Sequence, residues 1–247
     1  MDVKPSPEPF VKTFRALHHG RAPGDPLILP GPWDAAGARV FAEAGFPALA
    51  TPSAGIAESL GYADGSTPAD EMFAAVTRIV RAVAEFGIPV SADLEAGYGL
   101  PARELVDRAL AAGVVGINLE DSGPYGLDDP HQHAGRLAEV RAAAGDALFV
   151  NARVDTYVRG VPDLDETVRR ARLYVEAGAD SVYPILAPPD HLPALCESIP
   201  APVNALAHPD GPPPRELGRL GAARVTFGPG LLRRVLGVVR EMARELC

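Results

Sequence analysis

Pro89-Val90-Ser91-Ala92-Asp93-Leu94-Glu95-Ala96-Gly97-Tyr98-Gly99 is a short, mostly apolar run that breaks off into acids and glycines. A run of this length closed by turn formers reads as a β-strand leaving a sheet at its C-terminal end. The same form recurs at Gly116 to Glu120, which runs out through Asn118-Leu119-Glu120-Asp121, and at Leu148 to Arg153, which runs out through Asn151-Ala152-Arg153-Val154-Asp155. Working outward, Pro26 to Leu29, Ala48 to Thr51, Ser181 to Ile185, Val203 to Leu206 and Arg224 to Phe227 bring the number of such runs to eight. Their separation, roughly 20 to 40 residues, is that of repeated βα units and a parallel sheet.

Amphipathic segments fill the intervals. Within Asp70 to Glu85, Met72, Val76, Ile79, Val80 and Val83 form one apolar stripe at spacings of mostly three or four, as a helix on a barrel wall requires. Asp165 to Ala177, stopped by Gly178, and Leu231 to Leu246 read likewise, and Pro188-Pro189 introduce the helix that holds Cys196. An open doubly wound sheet shares this alternation, but eight units favour closure. The first βα turn, Leu29-Pro30-Gly31-Pro32-Trp33, also lacks the GxGxxG of a dinucleotide site. The expectation is one α/β domain over residues 1–247: an eight-stranded parallel (β/α)8 TIM-type barrel of the usual size, roughly 250 residues. Its first 22 residues form an N-terminal extension in which a helix from Pro9 to His18 covers the bottom of the barrel.

With 47% hydrophobic and 22% charged residues, the chain can bury a sizeable core. The net charge of -9, with no concentrated basic face, argues against a nucleic-acid partner. No apolar run approaches the length of a membrane span, and Met1-Asp2-Val3-Lys4-Pro5 lacks the apolar core of a signal peptide. Cys196 and Cys247 form no metal-ligand spacing and are expected to be free thiols in a reducing cytoplasm. The only lysines, Lys4 and Lys12, precede the first strand, which disfavours Schiff-base, pyridoxal-phosphate and P-loop chemistry together. The remaining cations are almost all arginines, suited to bidentate recognition of carboxylates.

In a barrel the reactive groups occupy the C-terminal strand ends, and here those ends carry Asp93, Glu95 and Glu120. If the extended backbone continued past Asp93, Asp93 and Glu95 would share a side. Three carboxylates in a low-dielectric mouth repel one another unless a cation sits among them, and a hard divalent ion such as Mg²⁺ suits oxygen donors. The alternative is that these acids cap helices or pair with arginines at the rim.

These motifs resemble the isocitrate lyase and phosphoenolpyruvate mutase superfamily over nearly the whole chain, from Gly31-Pro32-Trp33-Asp34-Ala35-Ala36 to Thr226-Phe227-Gly228. Asp93-Leu94-Glu95-Ala96-Gly97-Tyr98-Gly99 is similar to the family's D-x-D-x-G-Y-G metal motif with Glu in place of the second Asp, and Ser59-Leu60-Gly61-Tyr62-Ala63-Asp64 also matches. The resemblance implies that Asp93, Glu95 and Glu120 hold Mg²⁺, directly or through water, with Mn²⁺ a substitute. It implies further that Asp64 hydrogen-bonds metal-bound water, that Arg153 grips the substrate carboxylate, and that N–H groups of Ser53-Ala54-Gly55 bind the carboxylate of a 2-oxo acid. Glu120, Arg153 and Asp64 are thereby the expected catalytic residues. Asn204, at the end of the seventh strand, and Tyr183, at the end of the sixth, are candidates for lining the pocket or for structural roles. Phe227-Gly228-Pro229-Gly230 resembles the phosphate loop that follows the last strand of many barrels. Members of the family commonly have an additional C-terminal helix exchanged between subunits, whereas this chain stops at Cys247 immediately after its last predicted helix; a homo-oligomer is expected without that swap as its basis.

The loop after the fourth strand departs from the family. Asp121-Ser122-Gly123-Pro124-Tyr125-Gly126-Leu127-Asp128-Asp129-Pro130-His131-Gln132-His133 contains neither the cysteine of the isocitrate-cleaving lyases nor the lysine of the mutase's gating loop. His131 and His133 are either a replacement acid or base, or a solvent-facing cap of the next helix. The reading that results is a cytoplasmic Mg²⁺-dependent carbon–carbon lyase or decarboxylase, acting on a small anionic 2-oxo or 2-hydroxy (di)carboxylic acid through a pyruvate-type enolate. Glu120, Tyr62 or a loop histidine would supply any base that is needed. The rivals are a phosphoenolpyruvate or phosphonopyruvate mutase or hydrolase, and a non-catalytic 2-oxo-acid binding protein.

Overall fold

Eight parallel strands form a ring in the computed structural model, which describes residues 8–247. Lys4 and the stretch read for a leader lie outside the described residues. The strands are β1 (Leu27–Ile28), β2 (Leu49–Thr51), β3 (Val90–Asp93), β4 (Gly116–Glu120), β5 (Phe149–Val154), β6 (Ser181–Pro184), β7 (Asn204–Leu206) and β8 (Arg224–Thr226). Strands β2 to β6 pair in chain order, and β8 pairs with both β7 and β1. A bridge between Val182 and Val203 joins β6 to β7, and the Ala50 N–H donates to the Pro30 carbonyl (3.1 Å), joining β2 to the end of β1. The fold is thus the (β/α)8 barrel, with each expected run on a strand.

Helices α1 (Glu8–Leu17), α2 (Ala35–Glu43), α3 (Ser53–Leu60), α4 (Ala69–Ala82), α5 (Ala102–Ala112), α6 (Pro130–Ala144), α7 (Leu164–Glu176), α8 (Leu192–Ser198), α9 (Pro214–Arg219) and α10 (Gly230–Glu245) complete the architecture. The stripe read on α4 packs as expected, with Met72, Val76, Ile79 and Val83 buried and Val80 half-buried. Asp163 caps α7 by accepting the Glu166 N–H (3.0 Å), and Asp165 and Glu166 complement the helix dipole in its first turn. Among the described residues no helix is long and apolar enough to cross a membrane. Cys196 and Cys247 are unpaired.

Strand alternation divides the core in two. The outward residues Ala92, Leu119, Val150, Ala152, Val182 and Val225 pack in the shell beneath the helices. The interior is apolar only at its floor, where Leu27, Leu29, Ala48, Ala50 and Phe149 meet Val11 and Phe14 of α1. Phe14 and Phe149 touch edge to face at 5.3 Å, and His18 stacks on Phe149 at 4.2 Å. This places α1 at the N-terminal ends of β4 and β5. Gly116 suits the close approach there, since a Cβ would lie 3.1 Å from both Phe14 Cε1 and the Phe149 carbonyl, tighter than ordinary contact.

Above the floor the interior is polar. Asn151 Nδ2 donates to Asn118 Oδ1 (2.9 Å), Ser181 Oγ donates to Asn151 Oδ1 (2.6 Å), and the fully buried Arg224 reaches Asn118 Oδ1 (3.4 Å). Asn204 belongs to this layer. It begins β7 rather than ending it, is fully buried, and its amide is hydrogen-bonded to Thr226 (3.2 and 3.3 Å), which corrects its placement at the strand's C-terminal end.

Candidate active site

The mouth is built on the ends of β3, β4 and β5. In-register pairing sets Glu120 beside Arg153, and Arg153 beside Tyr183 of β6. Asp93 ends β3, and the extended backbone that would put Glu95 on the same side does not continue: Glu95 has φ 52° and Tyr98 φ 56°. Both are left-handed, which costs energy for residues other than glycine. The turn is closed by the Gly97 N–H donating to the Leu94 carbonyl (2.8 Å), and the Glu120 N–H donates to the Glu95 carbonyl (3.0 Å). This turn tucks the Glu95 side chain into the mouth, where it is 9% exposed and its Oε1 is buried without a hydrogen-bond partner. The Tyr98 hydroxyl is likewise buried, and burial together with the neighbouring Glu95 charge raises its pKa.

The cation found among the acids is Arg153. Its Nη1 lies 2.6 Å from Glu120 Oε2 and 3.8 Å from Asp93 Oδ2. Its planar fork grips Asp155 bidentately, Nε to Oδ1 at 2.6 Å and Nη2 to Oδ2 at 2.8 Å. The fork assigned by resemblance to the substrate is thus occupied by an acid of the chain, and the alternative of acids paired with an arginine describes part of the mouth. Asp155, fully buried, is a site residue that strand-end reasoning passed over, although it stands two residues beyond Arg153 on the same strand face. Its carboxylate also accepts from Ser122 Oγ (2.6 Å), and its N–H donates to Asp121 Oδ1 (2.7 Å). Asp121 turns outward to Arg170 and Tyr174 of α7 (2.9 and 2.7 Å), fixing the β4 end to the helix layer.

One arginine does not neutralise the mouth. Burial raises the Glu120 carboxyl to about 8 against the opposing Arg153 charge, with Asp93 adding to the rise. Burial, then the neighbouring Asp93 and Asp64 charges, raises Glu95 to about 7. Asp93 is also raised, chiefly by burial, against Arg153 and the Ser53 hydroxyl. Arg153 is raised in turn: burial disfavours its charge, but Asp93 and the bonds to Asp155 outweigh it.

Ser53, Ala54 and Gly55 form the first turn of α3. N–H groups at this position have no acceptor within their helix, so they are available to an anion. Ser53 Oγ donates to Asp93 Oδ2 (2.9 Å), linking this turn to the acids. A Cβ on Gly55 would lie 2.9 Å from Pro52 Cγ, so glycine is needed for the turn to pack.

The remaining expected residues lie further out. Asp64 is exposed in the α3–α4 loop, close enough to act electrostatically on Glu95. The Tyr62 hydroxyl donates to Glu71 Oε1 (2.5 Å), which raises its pKa and engages the group named as a base. Tyr183 is buried in the barrel interior, its hydroxyl raised to about 12 by burial. His131 and His133 are in the first turn of α6 rather than in a loop, because Asp129 accepts the N–H groups of residues 131 and 132 (3.0 Å each) and starts the helix. His131 faces an outer groove with Asp165 and Arg169, and His133 is buried against Tyr174. The residue pair of Phe227 and Gly228 leads directly into α10, with Gly228 in the left-handed region.

Among the described residues, no three His, Cys, Asp or Glu side chains are preassembled around a metal position. The donor set nevertheless fits a hard cation bound partly through water. It is all oxygen, its carboxyls resist ionisation, and Glu95 Oε1 is an orphaned buried acceptor.

The parallel barrel, with clustered acids at its mouth and a helix N-terminus beside them, places the chain in the TIM-barrel class. The sequence profile of the phosphoenolpyruvate phosphomutase family matches residues 14–247, and the chain belongs to that family, within the isocitrate lyase and phosphoenolpyruvate mutase superfamily. A proposed phosphonomutase from Burkholderia cenocepacia J2315 superposes with a TM-score of 0.87 at 37% identity, over 95% of this chain and 99% of that one. A 2-methylisocitrate lyase from Aeropyrum pernix is 32% identical over 192 residues, 72% of this chain and 59% of the lyase. A phosphonopyruvate hydrolase solved with oxalate and Mg²⁺ superposes with a TM-score of 0.81 at 25% identity, over 95% of this chain and 86% of that one.

Proposed function

We propose that this chain is a cytoplasmic Mg²⁺-dependent carbon–carbon lyase or decarboxylase, built as one barrel domain and acting on a small 2-oxo or 2-hydroxy (di)carboxylic acid. The observation that carries the proposal is the set of buried, ionisation-resistant carboxyls of Asp93, Glu95 and Glu120 beside the open N–H groups of Ser53, Ala54 and Gly55. The oxalate and Mg²⁺ held by the related hydrolase support the same pairing of ligands here.

Asp93, Glu95 and Glu120 would hold Mg²⁺, with Asp64 reaching it through water and Mn²⁺ a substitute. Bound there, the ion supplies a Lewis acid for an oxygen that gains charge as the bond breaks. The chain's own groups do the rest. The α3 N-terminus binds the 2-oxo acid's carboxylate, and Ser53 fixes the Asp93 carboxylate that faces it. Asp155 locks the Arg153 fork so that Nη1 stays between Glu120 and Asp93. Decarboxylation of a 2-oxo acid needs no base. A retro-aldol cleavage does, and Glu120, where it meets the ion through water, is the group placed to take a hydroxyl proton, since Tyr62 is bound to Glu71 and both histidines lie on α6. Asp93→Ala should abolish turnover at saturating Mg²⁺; full activity in that variant would sink the proposal.

The second reading is phosphonopyruvate chemistry, favoured by the family name and opposed by the missing loop lysine. Conversion of phosphonopyruvate followed by ³¹P NMR would establish it in place of the first. For the assembly we propose a homo-oligomer, because Val235, Val238, Val239 and Met242 leave an apolar face of α10 exposed. A single monomeric species in sedimentation would contradict that.

A further inference from the structure

The β4–α6 connection is pinned rather than free. Ser122–Gly123 pairs antiparallel with Gly126–Leu127, the Asp128 N–H donates to the Asp121 carbonyl (2.9 Å), and Arg170 Nη1 donates to the Asp128 carbonyl (3.0 Å). At its base the fully buried Ser122 donates to Asp155 Oδ2, and Ser122 Oγ accepts from Arg159 Nε (3.0 Å). Arg159 stands in the β5–α7 loop, exposed, yet only two hydrogen-bonded groups, Ser122 and Asp155, separate it from Arg153. Ser122 and Asp155 stand two residues beyond Glu120 and Arg153, the register pair at the β4–β5 side of the mouth, so the bond ties Arg159 to that rim.

Its charge is not used by the protein. Arg153 is held by Glu120 and Asp155, and Arg170 by Asp121 and Glu166, whereas Arg159 makes no ion pair among the described residues. The Ser122 bond occupies Nε and leaves Nη1 and Nη2 open. An arginine fixed at one edge and unpaired at the other is a preorganised carboxylate receptor. The hairpin beside it offers neither lysine nor arginine.

We propose that Arg159 binds the far carboxylate of the substrate, so that the enzyme acts on 2-oxo or 2-hydroxy dicarboxylates rather than on monocarboxylates. This rests on the reading that the α3 turn and the acids hold the near, 2-oxo end. Arg159 then determines specificity from the opposite rim, through a hairpin that is already in place before substrate arrives. A phosphonate at the far end offers related chemistry, and the test separates the two.

Binding is measured by calorimetry with Mg²⁺ present for three ligands: oxalate, which has no far group; 3,3-difluorooxaloacetate, a four-carbon dicarboxylate; and phosphonopyruvate. In Arg159→Gln the dicarboxylate should bind about tenfold more weakly or worse, the equivalent of about 1.4 kcal/mol, while oxalate changes less than about twofold. Arg159→Lys should recover part of the loss. Equal weakening of oxalate and dicarboxylate would make Arg159 a structural prop for the hairpin, and no weakening of either would remove it from the site. A loss confined to phosphonopyruvate would assign the far group as phosphonate and overturn the dicarboxylate inference. Wild-type protein that binds none of the three, oxalate included, would instead overturn the proposed function and this inference with it.

Discussion

Raising the pH from 6 to 9 without divalent metal should destabilise the protein, and Mg²⁺ should restore it. Glu95 and Glu120 are raised in the folded state to about 7 and about 8, against 4.5 for the free side chain. A carboxyl whose folded pKa is raised binds more protons folded than unfolded. Its contribution is therefore complete below 4.5 and is lost as pH climbs through the folded value. Between pH 6 and 9 the loss amounts to roughly 1 to 2 kcal/mol for Glu95 and roughly 2 to 3 kcal/mol for Glu120, about 4 kcal/mol together. For a domain of this size that lowers the melting temperature by on the order of 10 °C. A cation that needs these groups ionised reverses the effect, and because protons compete for the same oxygens its stabilisation is greater at pH 9 than at pH 6. Thermal and urea unfolding at both pH values, in EDTA and in Mg²⁺, measure this directly. The double variant Glu95→Gln with Glu120→Gln should flatten both the pH slope and the Mg²⁺ response. Stability in EDTA that is level or rising from pH 6 to 9, or Mg²⁺ stabilisation that is no larger at pH 9, would refute the reasoning.

Gly55→Ala should keep the fold but weaken oxalate at least about tenfold, because a Cβ lying 2.9 Å from Pro52 Cγ forces the α3 turn away from the mouth; unchanged oxalate affinity in calorimetry would remove that turn from the site. Gly116→Ala should cost about 1–3 kcal/mol in urea unfolding, since its Cβ meets Phe14 and the Phe149 carbonyl at 3.1 Å, and a neutral result would contradict the floor packing. His18 is lowered to about 3 by burial and by the Arg224 charge, so the unfolded chain takes up a proton that the folded chain refuses. Its stability contribution is complete above about 6.5 and falls as pH drops towards 3, by about 2 kcal/mol at pH 5. His18→Gln should remove that part of the acid slope, and an unaltered slope would show that His18 is not its source.

The barrel was legible because its signal is repeated. Eight apolar runs and the stripe on α4 carry the same message, and helices that pack on a parallel sheet must show both periods. The acids were legible because barrels place chemistry at C-terminal strand ends. What single residues do within the mouth was less so. Motif spacing brought Asp93, Glu120 and Arg153 together, but the grip of Asp155 on the Arg153 fork depends on side-chain directions that a strand pattern does not fix. Glu95 reaches the mouth through a left-handed turn, not through the extended continuation on which a shared side with Asp93 would depend. His131 and His133 looked like loop residues because Asp129-Pro130, a helix start with proline at its first position, resembles a turn. The polar interior had a visible signal that went unused. Asn118 and Glu120, Asn151 and Arg153, Ser181 and Tyr183, and Arg224 and Thr226 each stand two apart, the period of one strand face. In strands expected to be apolar on both faces, that repetition marks the barrel's inside. Ser122 and Arg159 carry no such signal, because they meet only once β4 and β5 are paired.

The most direct measurement is release of pyruvate or a related 2-oxo acid from oxaloacetate, methylisocitrate, dimethylmalate and phosphonopyruvate, in Mg²⁺ and in EDTA, by the wild type and by Asp93→Ala. The account requires turnover of at least one carbon substrate that depends on Mg²⁺ and is lost in the variant. Turnover that persists in EDTA or in Asp93→Ala, or no turnover of any carbon substrate while oxalate still binds, would contradict it.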